Sequence, residues 1–225
     1  WYAITDRTRN LRGNSHWDTP AEVIESAKYS YRLDKWEGQP NYVEVWVEKD
    51  ALVDVVGQAC RPLDVPFFSC RGYTSQSEMW AAAQRFIRRD DREQRIIIHL
   101  GDHDPSGIDM TRDIQERLEM FGADVMVKRV ALTMEQIDFY TPPPNPAKLT
   151  DSRCWGYIQK FGNESWELDA LEPKVITDLI TEQVTMYRDD TLYQQVCDQE
   201  RREKRELQLL CDNYSEAVSF LKEGN

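Results

Sequence analysis

The sequence lacks the features that would place the protein in a membrane or outside a cell. It contains no apolar run of about eighteen residues, the minimum for a membrane-spanning helix, and no pattern typical of a signal peptide. It also has no internal repeat and no low-complexity tract. We therefore expect a globular protein of the cytoplasm with no membrane partner.

Cysteine is scarce and shows no pattern. The chain has five cysteines, an odd number, and no two of them have the short spacing of a zinc site. Reduced thiols are the simplest interpretation, and a zinc ion is not expected. The five are Cys60, Cys70, Cys154, Cys197 and Cys211.

Positive charge is also scarce, because 28 Lys and Arg residues stand against 40 Asp and Glu residues and leave a net charge of −12. This balance opposes a nucleic-acid partner, since binding to a polyanion is usually driven by basic patches. The objection is not decisive. Acids gathered at a metal site are neutralised when the metal binds. A local stripe of Lys128, Arg129, Arg153 and Lys160 would still line a groove on an acidic protein.

Apolar residues, which make up 40% of the chain, predict alternating strands and helices. Short runs rich in β-branched and aromatic residues alternate with segments of helical periodicity. This pattern predicts an α/β fold with a four-stranded parallel sheet, helices on both of its faces and a helical C-terminal extension. The predicted strands are 43–47, 66–70, 95–100 and 124–130, and the predicted helices are 50–60, 75–89 and 106–121.

Three regions are expected along the chain. Residues 1–40 form an N-terminal helical segment, residues 41–140 form the α/β core, and residues 141–225 form a proline-rich connection followed by helices. Proline at four of the six positions of Thr141–Pro146 excludes a helix there and predicts a boundary or a surface loop.

The C-terminal region is expected to end in a long charged helix over residues 191–222. Its run 201–206 contains charges of both signs and predicts a solvated face with local ion pairs, or a helix-mediated dimer contact.

Acidic side chains follow two of the predicted strands at the point where each strand ends. Asp102 and Asp104 end the apolar run 95–100, and Glu48 follows the run 43–47. Because parallel strands present their carboxyl ends at one edge of a sheet, these acids are expected to lie close together. Side chains two apart on an extended chain point the same way, and carboxylate oxygens are the ligands that Mg²⁺ prefers. The pattern predicts a magnesium site.

Other polar residues near this edge are open to two interpretations. Lys49 and Arg71 are predicted phosphate contacts, or else solvated surface charges. Ser106 and Gly107 begin a helix whose free N–H groups would face a phosphate, or Ser106 merely caps that helix. Asp109, one helical turn further on, either reaches the metal through water or complements the helix dipole.

The histidines are not expected among the ligands. His103 points away from Asp102 and Asp104 by strand alternation, and His99 lies inside a buried strand as a core residue.

These motifs together resemble the TOPRIM domain, the metal-dependent catalytic module of topoisomerases, primases and a group of nucleases. Val47-Glu48-Lys49 and Asp102-His103-Asp104-Pro105-Ser106-Gly107 are similar to motifs of one branch, the topoisomerase VI A subunit and the meiotic double-strand-break protein. Phe68 to Tyr73, which contains Gly72, is similar to the glycine-aromatic turn after the second strand in that branch. The resemblance covers about residues 40 to 130.

The resemblance implies Mg²⁺-dependent cleavage of DNA phosphodiester bonds, with Mn²⁺ as a substitute. It makes Asp102 and Asp104 metal ligands and Glu48 either a third ligand or the proton-transferring group, with Asp109 as an outer metal contact. It implies DNA contacts at Lys49, Arg71, Gly72, Ser106 and Gly107. DNA is then the partner, the protein is associated with the nucleoid, and a homodimer supplies the two sites that double-strand cleavage needs.

A nucleophilic tyrosine is not identified in this chain. In the branch that the sequence resembles, the tyrosine lies on a winged-helix domain before the TOPRIM module, and residues 1–40 are too short for that domain. Tyr2, Tyr29 and Tyr31 are the upstream tyrosines, and none is predicted to be the nucleophile. We expect hydrolysis by water, or a nucleophile on a domain or partner subunit outside this chain.

One further motif is expected to contribute to the site or to the core. Residues 165–171 are similar to a segment downstream of the active site in the same branch. Glu167 or Asp169 would add to the acidic site, or the segment packs on the core through Trp166 and its leucines.

Two other classes remain open. A haloacid-dehalogenase-type phosphatase also uses an Asp-x-Asp pair with Mg²⁺, but it leaves Glu48 without a purpose and needs the pair near the start of the chain. A non-catalytic TOPRIM-like scaffold would use the same fold for binding alone.

Overall fold

The computed structural model describes residues 13–223. It divides the chain into two compact units. One unit is residues 34–194, and the other combines the residues before position 34 with those from Gln195 onward. Each unit is described by itself.

The unit of residues 34–194 is built around a parallel sheet of four strands in the order β2-β1-β3-β4. β1 pairs with β2 on one side and with β3 on the other, and Val47 at the end of β1 lies opposite Leu100 at the end of β3. The predicted α/β fold with a four-stranded parallel sheet is thus confirmed. The strands are β1 (Asn41–Val47), β2 (Phe67–Ser69), β3 (Gln94–Leu100) and β4 (Met126–Ala131).

The helices follow the predicted positions, with differences at their ends. The helix expected from residue 50 begins as a short 3-10 turn at Asp50–Leu52, and the long C-terminal helix is interrupted at Asn213. The helices are α1 (Pro20–Ser30), α2 (Val53–Leu63), α3 (Gln76–Ile87), α4 (Pro105–Met120), α5 (Met134–Tyr140), α6 (Cys154–Phe161), α7 (Pro173–Thr185), α8 (Asp190–Asp212) and α9 (Tyr214–Glu223).

Helices cover both faces of the sheet. Val43, Val45 and Val47 of β1 point to one face, where they join a core with apolar residues of α2 and α7. Trp46 points to the other face and packs with residues of α3 and α4. Because side chains alternate along a strand, a strand covered on both faces needs apolar residues pointing to each side, and this is why β1 and β3 are mostly apolar.

The proline-rich segment does not separate two units, which differs from the predicted boundary near residue 140. Asn145–Pro146 (β5) pairs with Glu164–Ser165 (β6), and His103 exchanges backbone hydrogen bonds with Trp166. α7 then packs against the sheet within the same unit, because its apolar side closes the core above α2. The proline-rich segment is therefore a loop within this unit, and it does not link two units.

Within residues 13–223, no helix is both long enough and apolar enough to cross a membrane.

Candidate functional site

The sheet topology brings Glu48 and Asp102 to one place. They follow the neighbouring strands β1 and β3, and the Glu48 N–H donates to the carbonyl of Leu100 at 2.9 Å. After β2 the chain crosses to the opposite side of β1 to form β3, so the direction of strand succession reverses between β1 and β3. In open parallel sheets, ligands bind in the crevice at the carboxyl ends of the strands where this reversal occurs.

Glu48 points into the loop that follows β3. Its Oε2 accepts a hydrogen bond from the Asp102 N–H at 3.0 Å. Glycine on both sides makes room for this carboxylate, because a Cβ at Gly101 would lie 2.8 Å from Oε2 and one at Gly107 would lie 2.9 Å from it. The approach of Glu48 to the loop therefore depends on two positions without side chains.

Asp102 is buried, with 7% of its surface exposed. Its Oδ1 accepts from the Leu168 N–H at 2.7 Å, and its Oδ2 lies 3.4 Å from the ammonium of Lys49. Leu168 belongs to the short 3-10 turn Leu168–Ala170. The segment that follows β6 therefore forms one wall of the site, which the sheet alone would leave open.

Asp104 caps α4. Its Oδ1 accepts from the Gly107 N–H at 2.6 Å and from the Ser106 hydroxyl at 3.0 Å, and Pro105 occupies the first helical position. The interpretation of Ser106 as the cap is thus wrong. A carboxylate two residues earlier takes that role because its backbone is extended, as a cap requires. The Gly107 N–H, predicted to face a phosphate, is bound to Asp104 in this state.

Burial and mutual repulsion disfavour the ionised acids. Burial, followed by the nearby charge of Asp102, raises the pKa of Glu48 to about 7, and Asp104 contributes in the same direction. Burial also raises the pKa of Asp102, although the Leu168 N–H and Lys49 counteract it. The three acids thus interact electrostatically, and their edge of the sheet favours a cation.

Lys49 lies among carboxylates. Its ammonium is within ion-pair distance of Asp102 and contacts Asp169 at 3.0 Å, and it also binds Glu167. Burial lowers the pKa of Lys49, but hydrogen bonds to Glu167 and Asp169 outweigh this and raise it overall. Lys49 therefore connects Glu167 and Asp169 to Asp102 through ion pairs, and its ammonium partly neutralises these three carboxylates.

Arg71 and Gly72 form an exposed left-handed turn after β2. Both have positive φ, of 49° and 81°, and the Arg71 side chain is 74% exposed and lies 3.2 Å from Asp50. In this state the guanidinium has the character of a solvated surface charge.

Asp109 belongs to a different polar cluster. It pairs with Arg112 at 2.6 Å and with Arg153 at 3.1 Å, and it accepts from the Tyr73 hydroxyl at 2.6 Å. These contacts engage both carboxylate oxygens, so the structure groups Asp109 with cations and leaves it apart from Glu48, Asp102 and Asp104.

The described residues contain no group of three or more His, Cys, Asp or Glu side chains arranged to hold a metal ion. The donor chemistry nevertheless fits Mg²⁺, which is usually bound through one or two carboxylates with water and substrate oxygens completing its shell. Glu48 and Asp102 are the pair with raised pKa values, and Asp104 adds charge beside them. These three would hold the ion, with Lys49 displaced from Asp102.

Arg129 supports the loop from below, a role that the sequence did not predict. Its guanidinium donates to the carbonyls of Gly101, Asp102 and Gly107, two of them at 2.9 Å, and also to the Thr111 hydroxyl at 3.2 Å. Arg129 does border an open pocket, together with His103 and Thr133, but its guanidinium is bound to the backbone of the acid loop. The available clue was the charged pair Lys128-Arg129 within a short strand of the sheet.

Burial disfavours the charged form of the two histidines near the acids. Burial lowers the pKa of His99 to about 3 and that of His103 to about 4. Nδ1 of His99 lies 2.9 Å from the Thr111 hydroxyl, and Nδ1 of His103 lies 2.8 Å from the Tyr157 hydroxyl. The His103 ring also packs on Phe161 at 4.7 Å between centroids. Both histidines therefore act as packing and hydrogen-bonding residues.

The upstream tyrosines are not part of the acid site's unit. Tyr2 lies outside the described residues, and Tyr29 and Tyr31 belong to the other compact unit.

No family model matches this chain, and no curated protein matches it. The fold and site by themselves define an α/β protein with three acids at the carboxyl edge of a four-stranded parallel sheet. The acids lie where the direction of strand succession reverses, and a part-buried arginine supports the loop that carries two of them.

Proposed function

We propose that the protein cleaves DNA phosphodiester bonds in a reaction that depends on Mg²⁺, with Mn²⁺ as a substitute, and that its core is a TOPRIM-like module. The observation that carries the proposal is that Glu48 and Asp102 meet at the reversal point of the sheet, with Asp104 close enough for its charge to act on both. Three mutually repelling acids are costly to keep at one edge, and a divalent cation compensates that cost.

The metal would stabilise charge on the phosphate and leaving oxygens when bound. Asp102 is suited to hold it because the backbone bond to Leu168 fixes the orientation of its carboxylate. Asp104 is fixed in the same way by the first turn of α4. Both carboxylates are therefore ordered before a ligand arrives, and this reduces the entropy lost on binding.

Glu48 is suited to proton transfer. Its raised pKa of about 7 lets both protonation states be populated near neutral pH, as a general acid or base requires. As a base, the carboxylate would take a proton from the attacking water; as an acid, it would give one to the leaving oxygen. Metal binding would lower this pKa again, so the balance between ligand and proton carrier depends on whether the metal is bound.

Lys49 is the cation best placed to contact a phosphate of the substrate. Its ammonium pairs with Asp102 and Asp169, and it would exchange Asp102 for a phosphate oxygen when Mg²⁺ takes over the carboxylate. The other predicted DNA contacts, Arg71 and Gly72, lie on the exposed turn after β2 and would be reached by a longer substrate.

The direct test is cleavage of supercoiled and linear DNA with Mg²⁺ or Mn²⁺. The protein is compared with Glu48→Gln and with a double variant, Asp102→Asn and Asp104→Asn, each checked for folding by circular dichroism. We expect metal-dependent nicking or linearisation by the protein and a loss of at least a hundredfold in both variants, the range of removed acid-base catalysis. Lys174→Gln, on α7 with 80% of the lysine side chain exposed, serves as a control outside the acid cluster and the predicted DNA contacts.

The scaffold interpretation makes a different prediction from the same assay. Lys49 already neutralises part of the acid cluster, which favours a protein that binds without cutting. Equal and metal-independent behaviour of the protein and both variants would reject the nuclease proposal. If a covalent DNA adduct formed only with an added partner protein, the nucleophile would be shown to lie outside this chain.

A further inference from the structure

A cavity of about 270 Å³ lies between α4 and α6, beside the acid loop. Its floor is apolar, formed by Pro105 and Ile108 of α4 and by Tyr157 and Phe161 of α6. Pro105 directly follows Asp104 in the chain. A ligand in this cavity would therefore be a direct neighbour of the acid site.

The aromatic wall of the cavity is rigidly attached to the acid loop. The Phe161 ring lies 5.1 Å from that of Tyr157 and 4.7 Å from that of His103, the residue between the two aspartates. The Tyr157 hydroxyl lies 2.8 Å from the carbonyl oxygen of His103 and 3.0 Å from that of Glu164 in β6. Phe161 is only part-buried, so one part of a fixed aromatic ring remains open to the cavity.

Basic side chains outnumber acidic ones in the lining of this cavity. Three cations, Arg112, Arg153 and Lys160, line it together with one carboxylate, Asp109. Asp109 pairs with both arginines, and Arg112 also pairs with Glu116 and Arg153 with Asp151, so the charges of the two arginines are neutralised within the protein. Lys160 is exposed and makes no ion pair in the part of the chain that the structure describes, so it remains available to an anion.

Aromatic and aliphatic walls beside a free cation are the chemistry that recognises a nucleotide. A base stacks on an aromatic ring without sequence preference, while a cation follows the phosphate backbone. A base within a duplex is already stacked and paired, so it would need to be unstacked before it entered a cavity between two helices. This cavity therefore suits an unpaired base.

We propose that this cavity holds an unpaired nucleotide of a single-stranded DNA segment, next to the phosphate at the acid site. Phe161 receives the base, and Lys160 contacts the adjacent phosphate. The assignment rests on the proposed function, for which it specifies the substrate as a strand with unpaired nucleotides. Duplex DNA would enter only where it is frayed or distorted.

Gly156 permits a sharp test, because it lines the cavity and a Cβ there would have no heavy atom within 4 Å. Gly156→Leu fills the cavity from a helix without a backbone clash, and Gly156→Ala is the matched control that leaves most of it open. Lys160→Glu removes the free cation. Lys174→Glu, on α7 with 80% of the lysine side chain exposed, makes the same change in net charge elsewhere.

Binding is measured by fluorescence anisotropy with short labelled single-stranded and duplex oligonucleotides of one sequence, in EDTA so that no cleavage occurs. We expect tighter binding to the single strand, a loss of about tenfold with Gly156→Leu and with Lys160→Glu, and little change with either control. Equal affinity for both oligonucleotides, or unchanged binding by Gly156→Leu, would overturn the assignment.

The two proposals fail separately. Lost single-strand binding in Gly156→Leu, with no Mg²⁺-dependent cleavage by the unmodified protein, would support the cavity assignment and reject the nuclease. Cleavage by the unmodified protein with undiminished binding by Gly156→Leu would do the reverse.

Discussion

At the level of single residues, the site brings carboxyl groups together where burial disfavours their ionised form. Glu48 is pressed against Asp102 in a poorly solvated loop, and burial with this repulsion raises the pKa of its carboxyl group to about 7. The only direct hydrogen bond to its Oε2 in the described structure comes from the Asp102 N–H. A buried acid that lowers the stability of the fold when it ionises is typical of a functional position.

Glu48→Gln should therefore stabilise the fold in a pH-dependent way. The folded protein keeps the Glu48 proton up to about pH 7, whereas the unfolded chain releases it near the ordinary value of 4.5. The folded state thus binds more protons between these values, and its stability falls as the pH rises through them. Glutamine removes this loss and still accepts from the Asp102 N–H.

Urea unfolding at about pH 5 and about pH 8 measures the effect. The stability advantage of Glu48→Gln should grow by about 2 kcal/mol over that interval. If the difference in unfolding free energy between the variant and the unmodified protein did not change with pH, the pKa of Glu48 would be the same in the folded and unfolded states. Glu93→Gln, an exposed acid at the opposite edge of the sheet, is the control and should show no such growth.

At the level of elements, α4 is the part of the fold most closely fitted to the acid loop. Asp104 caps it, and Gly107 in its first turn lets the helix approach the loop. A Cβ on Gly107 would lie 2.3 Å from the Asp102 carbonyl oxygen, which is backbone and cannot move aside alone. The glycine therefore maintains the contact between helix and site.

Two helical glycines should respond to alanine with opposite signs. Gly107→Ala should lower the free energy of unfolding by about 1–3 kcal/mol, because the added methyl group displaces the acid loop. Gly156→Ala should raise it by about 0.5–1 kcal/mol, because α6 gains helix propensity at a position with open space. Chemical denaturation of both variants checks the pair, and equal signs would contradict the packing described for Gly107.

Element positions were largely predictable. The apolar runs that fill two cores could form only buried strands, so β1 and β3 were predicted to within a few residues of where they lie. The break of the C-terminal helix at Asn213 and the packing of α7 on the sheet were not predicted. The packing of α7 depends on which surface of the sheet remains open after the sheet has formed.

At the level of the whole molecule, the strand order decides where a cation is favoured. The order β2-β1-β3-β4 makes β1 and β3 neighbours and brings together acids that are more than fifty residues apart in the chain, Glu48 and Asp102. The protein has a net charge of −12, so the repulsion between these neighbouring acids adds to the repulsion among negative charges over the whole molecule. Mg²⁺ should relieve it.

Mg²⁺ should therefore stabilise the folded protein against heat. At a concentration about ten times its dissociation constant, it contributes about 1.4 kcal/mol, which corresponds to a rise in Tm of about 3 °C for a chain of this length. Differential scanning calorimetry with Mg²⁺ and then with EDTA measures the rise and its reversal. The Asp102→Asn and Asp104→Asn double variant should show no rise, and an equal rise in that variant would place the ion elsewhere.

The order of residues was enough to predict the parallel sheet and the three acids at its edge, because apolar periodicity and strand ends are local properties of the chain. The partners of each charge were not predictable from it. Lys49 binds acids, Arg129 turns beneath the loop, and Asp109 pairs with arginines because residues distant in sequence meet only after folding. Burial and charge pairing depend on three-dimensional neighbours, and these set the pKa values and the cavity on which the proposals rest.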